Sequence, residues 1–208
     1  MKKNFLMGCM LMLAVMHGGW GQVTVNYDAQ EPVAEVIMSN PLPAKEDFAG
    51  NTWRWREAGS GAQNDVGQLF KSDKAFKLSG VVLYTLGASV SEHGRPFKLI
   101  VEKFLGDGVN SGREEISSQD GLLPHLGMGN RYIYFLLQEP VAIEAEEVYG
   151  FRLQFEEEAP ENSVGIVLDN KRMNLPFGEF FYYYNPSFSS ELVQIPTQSA
   201  VFYILGEE

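Results

Sequence analysis

Apolar and polar residues alternate with a period of two along many short stretches of this chain, and no stretch of ten residues or more repeats convincingly at a helical period. The alternation is cleanest from Val148 to Glu156. Tyr149, Phe151, Leu153 and Phe155 fall on one side, and Gly150, Arg152, Gln154 and Glu156 on the other. Side chains of a strand alternate faces, so this pattern predicts a strand with an aromatic core face and a polar face turned to water. Gln22 to Tyr27, Asn51 to Glu57, Val66 to Lys71, Pro96 to Leu105, Arg131 to Leu137, Val164 to Leu168, Phe180 to Tyr184 and Ala200 to Leu205 also read as strands. Ala75 to Gly87 is longer and largely apolar. Phe76, Leu78, Val82 and Tyr84 are expected on one of its faces and Val81 and Leu83 on the other, as in a central strand. Gly- and Pro-rich stretches at 40–50, 59–64, 106–112, 121–130 and 156–162 are expected as loops, and Pro140 is expected to end the strand before it.

About nine or ten strands with no helices between them predict an all-β fold. Several connections are too long for simple hairpins, which favours an antiparallel, two-sheet, jelly-roll-like β-sandwich over an up-and-down barrel. Neither repeat nor linker divides residues 22–208, so they are expected to form a single β-sandwich domain.

Residues 1–21 read as a signal peptide. Lys2 and Lys3 open it, an apolar run follows from Phe5 to Met16, and Gly19 and Gly21 supply small residues before a cut expected at Gln22. The run is shorter than the roughly 20 apolar residues that a membrane helix needs. Leu6-Met7-Gly8-Cys9 has the look of a lipobox, but the apolar run continues past it. The expected product is exported, periplasmic or extracellular. Cys9 is the only cysteine, so the processed chain is expected to hold neither a disulfide nor a catalytic thiol. The remaining residues are numerous enough for a core without such staples. No later stretch is long and apolar enough to span a membrane.

Charge narrows the partners. The chain has 16 basic and 27 acidic residues, a net −11; removing the leader takes away two basic residues and leaves −13. Such a field repels phosphate backbones, so no nucleic-acid partner is expected. Polysaccharide or an envelope protein remains.

Trp53-Arg54-Trp55-Arg56 would set two indoles on one strand face and two guanidinia on the other. Paired aromatics stack on the apolar faces of sugars, and arginines bond their hydroxyls; the indoles can equally be core. Phe180-Phe181-Tyr182-Tyr183-Tyr184 likewise offers Tyr182 and Tyr184 on one face as ligand-binding candidates, or as a buried strand with its hydroxyls at the rim. Asp107, Asn110 and Glu114 in and beside the Gly106–Gly112 stretch are candidate ligands for a structural calcium ion, with an ordinary mobile loop as the alternative. No other cofactor is expected. Glu146-Glu147 and Glu156-Glu157-Glu158 contain carboxylates of the kind a glycosidase needs, but such runs usually form solvated turns. His93 and His125 lack the spacing of a metal pair or a triad. No catalytic motif is found.

The order of motifs resembles a family of exported bacterial β-sandwich proteins of uncharacterised activity, often encoded by polysaccharide-degrading bacteria. The stretches that carry the resemblance are Asn51-Thr52-Trp53-Arg54-Trp55-Arg56, Asp65-Val66-Gly67-Gln68-Leu69-Phe70, Tyr149-Gly150-Phe151-Arg152-Leu153 and Val201-Phe202-Tyr203-Ile204-Leu205-Gly206. The resemblance implies a jelly roll like that of carbohydrate-binding modules and brings no residue roles. The expected function is a non-catalytic module binding extracellular glycan. A structural or protein-interaction domain of the envelope or matrix is the alternative, and a secreted glycoside hydrolase-like enzyme the third reading.

Overall fold

A computed structural model describes residues 22–54, 65–90, 92–125, 129, 131–155, 162–171, 177–184, 189 and 191–208. The expected leader at 1–21 and the acidic run at Glu156-Glu157-Glu158 lie outside them. Among the described residues fourteen strands follow one another: β1 Gln22–Asp28, β2 Val36–Asn40, β3 Phe48–Arg54, β4 Asp65–Lys71, β5 Phe76–Ser89, β6 Arg95–Phe104, β7 Arg113–Leu123, β8 Arg131–Ile143, β9 Val148–Gln154, β10 Ser163–Asp169, β11 Phe181–Tyr184, β12 Leu192–Ile195, β13 Ser199–Ala200 and β14 Phe202–Glu207. The fold is all-β; among the described residues the only helical turn is Lys45–Asp47. No helix among them is long and apolar enough to cross a membrane.

The expectation of two separate sheets of nine or ten strands is corrected. Hydrogen bonding is continuous through one sheet in the order β12-β11-β4-β9-β6-β7-β1-β8-β5-β10-β13, with β14 and β2 joined through β5 and β3 through β10. The sheet curls into a half-barrel. Strand β1 makes the continuity. Its first residues, Gln22 and Val23, pair in parallel with Asp120 and Gly121 of β7, and Thr24 to Asp28 then pair antiparallel with β8. One strand thus hands the sheet from one half to the other.

The main core lies on the concave side, between the two halves. Leu99, Phe151, Leu153 and Phe181 from one half meet Val81, Ile133, Ile166 and Ile204 from the other. Phe97 stands edge-on to Phe135 at 5.4 Å, and Phe151 tilts against Phe202 at 6.3 Å. Tyr149, Phe151 and Leu153 are buried, as the alternation of β9 predicts, and Phe155 packs at the margin.

Three expectations change for local reasons. In β5, Val81 and Leu83 join Leu78 in the main core, while Val82 and Tyr84 pack on the outer face. The pairing with β8 shifts register between Leu78 and Gly80, and such a slip moves following side chains to the opposite face. Pro140 does not end β8, because it falls in that irregularity. There the Gln119 side chain accepts from the backbone of Gln138 and donates to the carbonyl of Glu139. A bulge is where a strand tolerates a residue without an N–H. Residues 113–123, mostly unassigned or read as loop, form β7. Its outward positions Glu114, Ser118 and Asp120 are exposed and polar, which hides the strand.

Candidate functional site

The outer face of the β11-β4-β9-β6 half carries a second cluster, formed by Leu69, Phe104, Val109, Phe180, Tyr182 and Leu192. Two glycines make it possible. Gly67 of β4 and Gly150 of β9 both lie under the Tyr182 ring: a Cβ at Gly67 would stand 2.4 Å from Tyr182 Cζ, and one at Gly150 would stand 3.0 Å from its hydroxyl. A glycine inside a strand often marks such a close approach. The ring crosses these bare positions, and its hydroxyl reaches Glu102 of β6.

Glu102 is the hub of a buried ionic network. It accepts from Arg152 through Oε2 (Nε, 3.2 Å) and Oε1 (Nη2, 3.0 Å), and from the Tyr182 hydroxyl (3.3 Å). Arg113 Nε lies 3.0 Å from Glu102 Oε1. Arg152 also donates from Nη1 to Asp65 Oδ2 at 2.5 Å. Side-chain exposure is 3% for Glu102, 4% for Asp65 and 11% for Arg152, rising to 36% for Arg113. The two acids and two arginines balance.

Burial would lower the pKa of Arg152, but the hydrogen bond and charge of Glu102 reverse this and hold the guanidinium charged. Burial, reinforced by Glu102, raises the Tyr182 phenol well above its usual range, so it remains a donor. Burial likewise pushes the Asp65 carboxyl from 3.8 up to about 6, against the pull of Arg152.

Above the network opens a cleft of about 420 Å³. Asp65, Arg113, Arg152 and Gln154 line it, with Tyr184 and Glu191 among its other walls. The Gly106–Gly112 stretch closes one side. Asn110 donates from Nδ2 to the Leu192 carbonyl (2.7 Å) and accepts at Oδ1 from the Leu192 N–H (3.1 Å), while Val109 sits in the second cluster. The stretch is therefore a docked wall.

The sequence candidates divide. Tyr184 is half-buried and lines the cleft. Tyr182, a ligand-binding candidate with a buried strand as its alternative, is fully buried as a pillar beneath the site. Trp53 and Arg54 have their backbones paired in β3 with Val164 and Ser163, away from the β4-β9-β6 half; Trp55 and Arg56 lie outside the described residues. Asn110 spends both amide atoms on Leu192, and Asp107 and Glu114 are exposed. Among the described residues, no three His, Cys, Asp or Glu side chains gather as a metal site. Glu146 pairs with Lys71, and Glu147 with Lys103, at the surface. Asp65, Glu102, Arg113 and Arg152 went unrecognised as a group. The glycines at 67 and 150, set between large strand residues, were the one signal that something lies against that face.

No family model matches the chain. No curated protein matches it either. The resemblance set out above is carried by its quoted motifs alone. Among solved structures, the chain is similar to the cysteine protease and lectin-like domains of Cwp84, a surface layer associated protein of Clostridium difficile, at 13% identity and a TM-score of 0.45. The match covers 78% of this chain and 36% of that one.

The raised Asp65 carboxyl has a measurable consequence. A carboxyl whose folded pKa lies above its unfolded value favours the fold in its protonated form. Its contribution is complete below about 3.8 and lost as pH rises through about 6. The wild type should lose about 3 kcal/mol between these limits relative to Asp65→Asn, which cannot titrate there. Denaturant melts of both proteins at pH 4 and pH 7 read this difference; a gap that does not change with pH would refute it.

Proposed function

We propose that the domain is an exported, non-catalytic module that binds extracellular glycan in the cleft above Arg152. The observation that supports this reading is the makeup of the walls. Carboxylate acceptors (Asp65, Glu191) stand beside guanidinium and amide donors (Arg113, Arg152, Gln154), with the Tyr184 side chain close by. A sugar hydroxyl both donates and accepts, so it suits such a mixed wall, and a sugar ring's C–H face packs on an aromatic plane. The cleft volume falls within the roughly 300–1,000 Å³ of small-molecule sites. Arginines held by buried carboxylates need little reordering on binding, which reduces the entropic cost of association. Export rests on the reading of residues 1–21.

Affinity is expected to be modest, micromolar to millimolar, or about −8 to −4 kcal/mol. Retention of the purified protein on polysaccharide affinity gels tests the proposal. Gln154→Ala and Glu191→Ala should each weaken retention while leaving Tm nearly unchanged, because Gln154 is half-buried and Glu191 exposed. Retention untouched by either substitution would move the site elsewhere. Failure on every polysaccharide would replace glycan binding with the envelope-scaffold reading.

A further inference from the structure

We infer that the cleft selects uncharged glycans and rejects those bearing uronate or sulfate groups. This rests on the glycan reading above and adds the class of sugar. The charges at the cleft floor are already spent on one another. Glu102 holds Arg152 by a two-point contact and Arg113 by a third, and Asp65 holds Arg152 from the opposite side. An entering anion can reach the arginine N–H groups that the carboxylates leave unused, but the charge behind them is already balanced by Glu102 and Asp65, so it gains little net attraction for its own desolvation. Drawing an arginine away altogether would leave Glu102, with 3% side-chain exposure, short of its partner, a penalty larger than a half-exposed ion pair returns.

Two further charges act the same way. Glu191 lines the cleft and is exposed, so an anionic sugar meets a like charge on entry. The chain as a whole is strongly acidic and repels polyanions at long range. A neutral hydroxyl faces none of these penalties. It can accept from an arginine N–H that the carboxylates leave unused, and it can donate to Asp65 or Glu191 without breaking the network. An arginine has five N–H donors, and Asp65 and Glu102 take three of those on Arg152.

A glycan array that pairs neutral oligosaccharides with carboxylated and sulfated forms of the same backbones tests this. Assay in about 0.5 M salt shortens the reach of the overall charge to a few ångströms and isolates the cleft. Signals confined to the neutral members support the inference. Signals that prefer the charged members overturn it and leave glycan binding standing. An array without signal overturns both.

Charge substitutions give a second readout. Asp65→Asn keeps the shape and an acceptor for Arg152 but makes the floor net positive. It should lower the neutral-to-acidic preference by about tenfold. Should Asp65→Asn fold poorly, Glu191→Gln at its exposed position should move the preference the same way by about threefold. A preference unchanged by both substitutions would show that the network's charge does not select the ligand.

Discussion

Replacing Arg152 by methionine should destabilise the domain by about 3–5 kcal/mol, the cost of breaking a buried ion pair from one side. Among the described residues, Arg152 is the one group that touches both Glu102 and Asp65. Without it, two carboxylates would remain almost wholly buried beside a single, partly exposed Arg113. For a domain of this size the loss corresponds to roughly 10 °C in Tm. Urea melts at pH 7 measure it directly. A loss under about 1 kcal/mol would mean that water enters the cleft floor and resolvates both acids. Replacing Arg152, Glu102 and Asp65 together by apolar residues of similar volume should recover much of the stability, because the desolvation penalty disappears with the charges. That triple variant should still fail to retain polysaccharide. Its recovery would separate a network kept for ligand contact from one kept for the fold.

Phe151→Ala should cost about 3–5 kcal/mol as well, for a different reason. Phe151 is among the largest fully buried side chains, and its ring meets Phe202 across the two halves of the half-barrel. Truncation removes the transfer free energy of the ring and leaves a cavity that two sheet halves tied by backbone hydrogen bonds cannot close. Denaturant melts should show a lower midpoint with an unchanged slope, since the surface exposed on unfolding stays nearly the same. Phe155→Ala, one residue beyond the end of β9 and only partly buried, should cost clearly less. Equal losses at both positions would contradict the burial gradient along this segment.

The two substitutions sit on opposite faces of one strand, and the faces differed in how legible they were. Tyr149, Phe151 and Leu153 announce their burial, because apolar residues at every second position have nowhere stable to go except a core. Arg152, the residue between them, is equally visible as turned away from that core. Its own burial is not visible, since a polar residue on the second face of a strand is ordinarily solvated. What buries it comes from elsewhere in the chain: Glu102 lies 50 residues away, Asp65 87, and the Tyr182 hydroxyl reaches Glu102 from 80. Trp53 and Trp55 stand out in the sequence because only Arg54 separates them. The cleft is built from residues that are not.

The chain by itself determined the all-β class, the placement of strands with strict alternation and the core face of β9, because local sterics and hydrophobic burial act over two to ten residues. Tertiary structure alone decided which edges joined. Parallel pairing of two residues of β1 with β7 turned the expected pair of sheets into one curled sheet. A register slip beside Leu78 exchanged the faces of β5. The same long-range pairing brought β4, β6 and β9 side by side and set Asp65, Glu102 and Arg152 within reach of one another. Charges so far apart in the chain have no local energy that would betray their meeting. Their attraction acts only once the backbone ladder has brought them together and excluded the water between them.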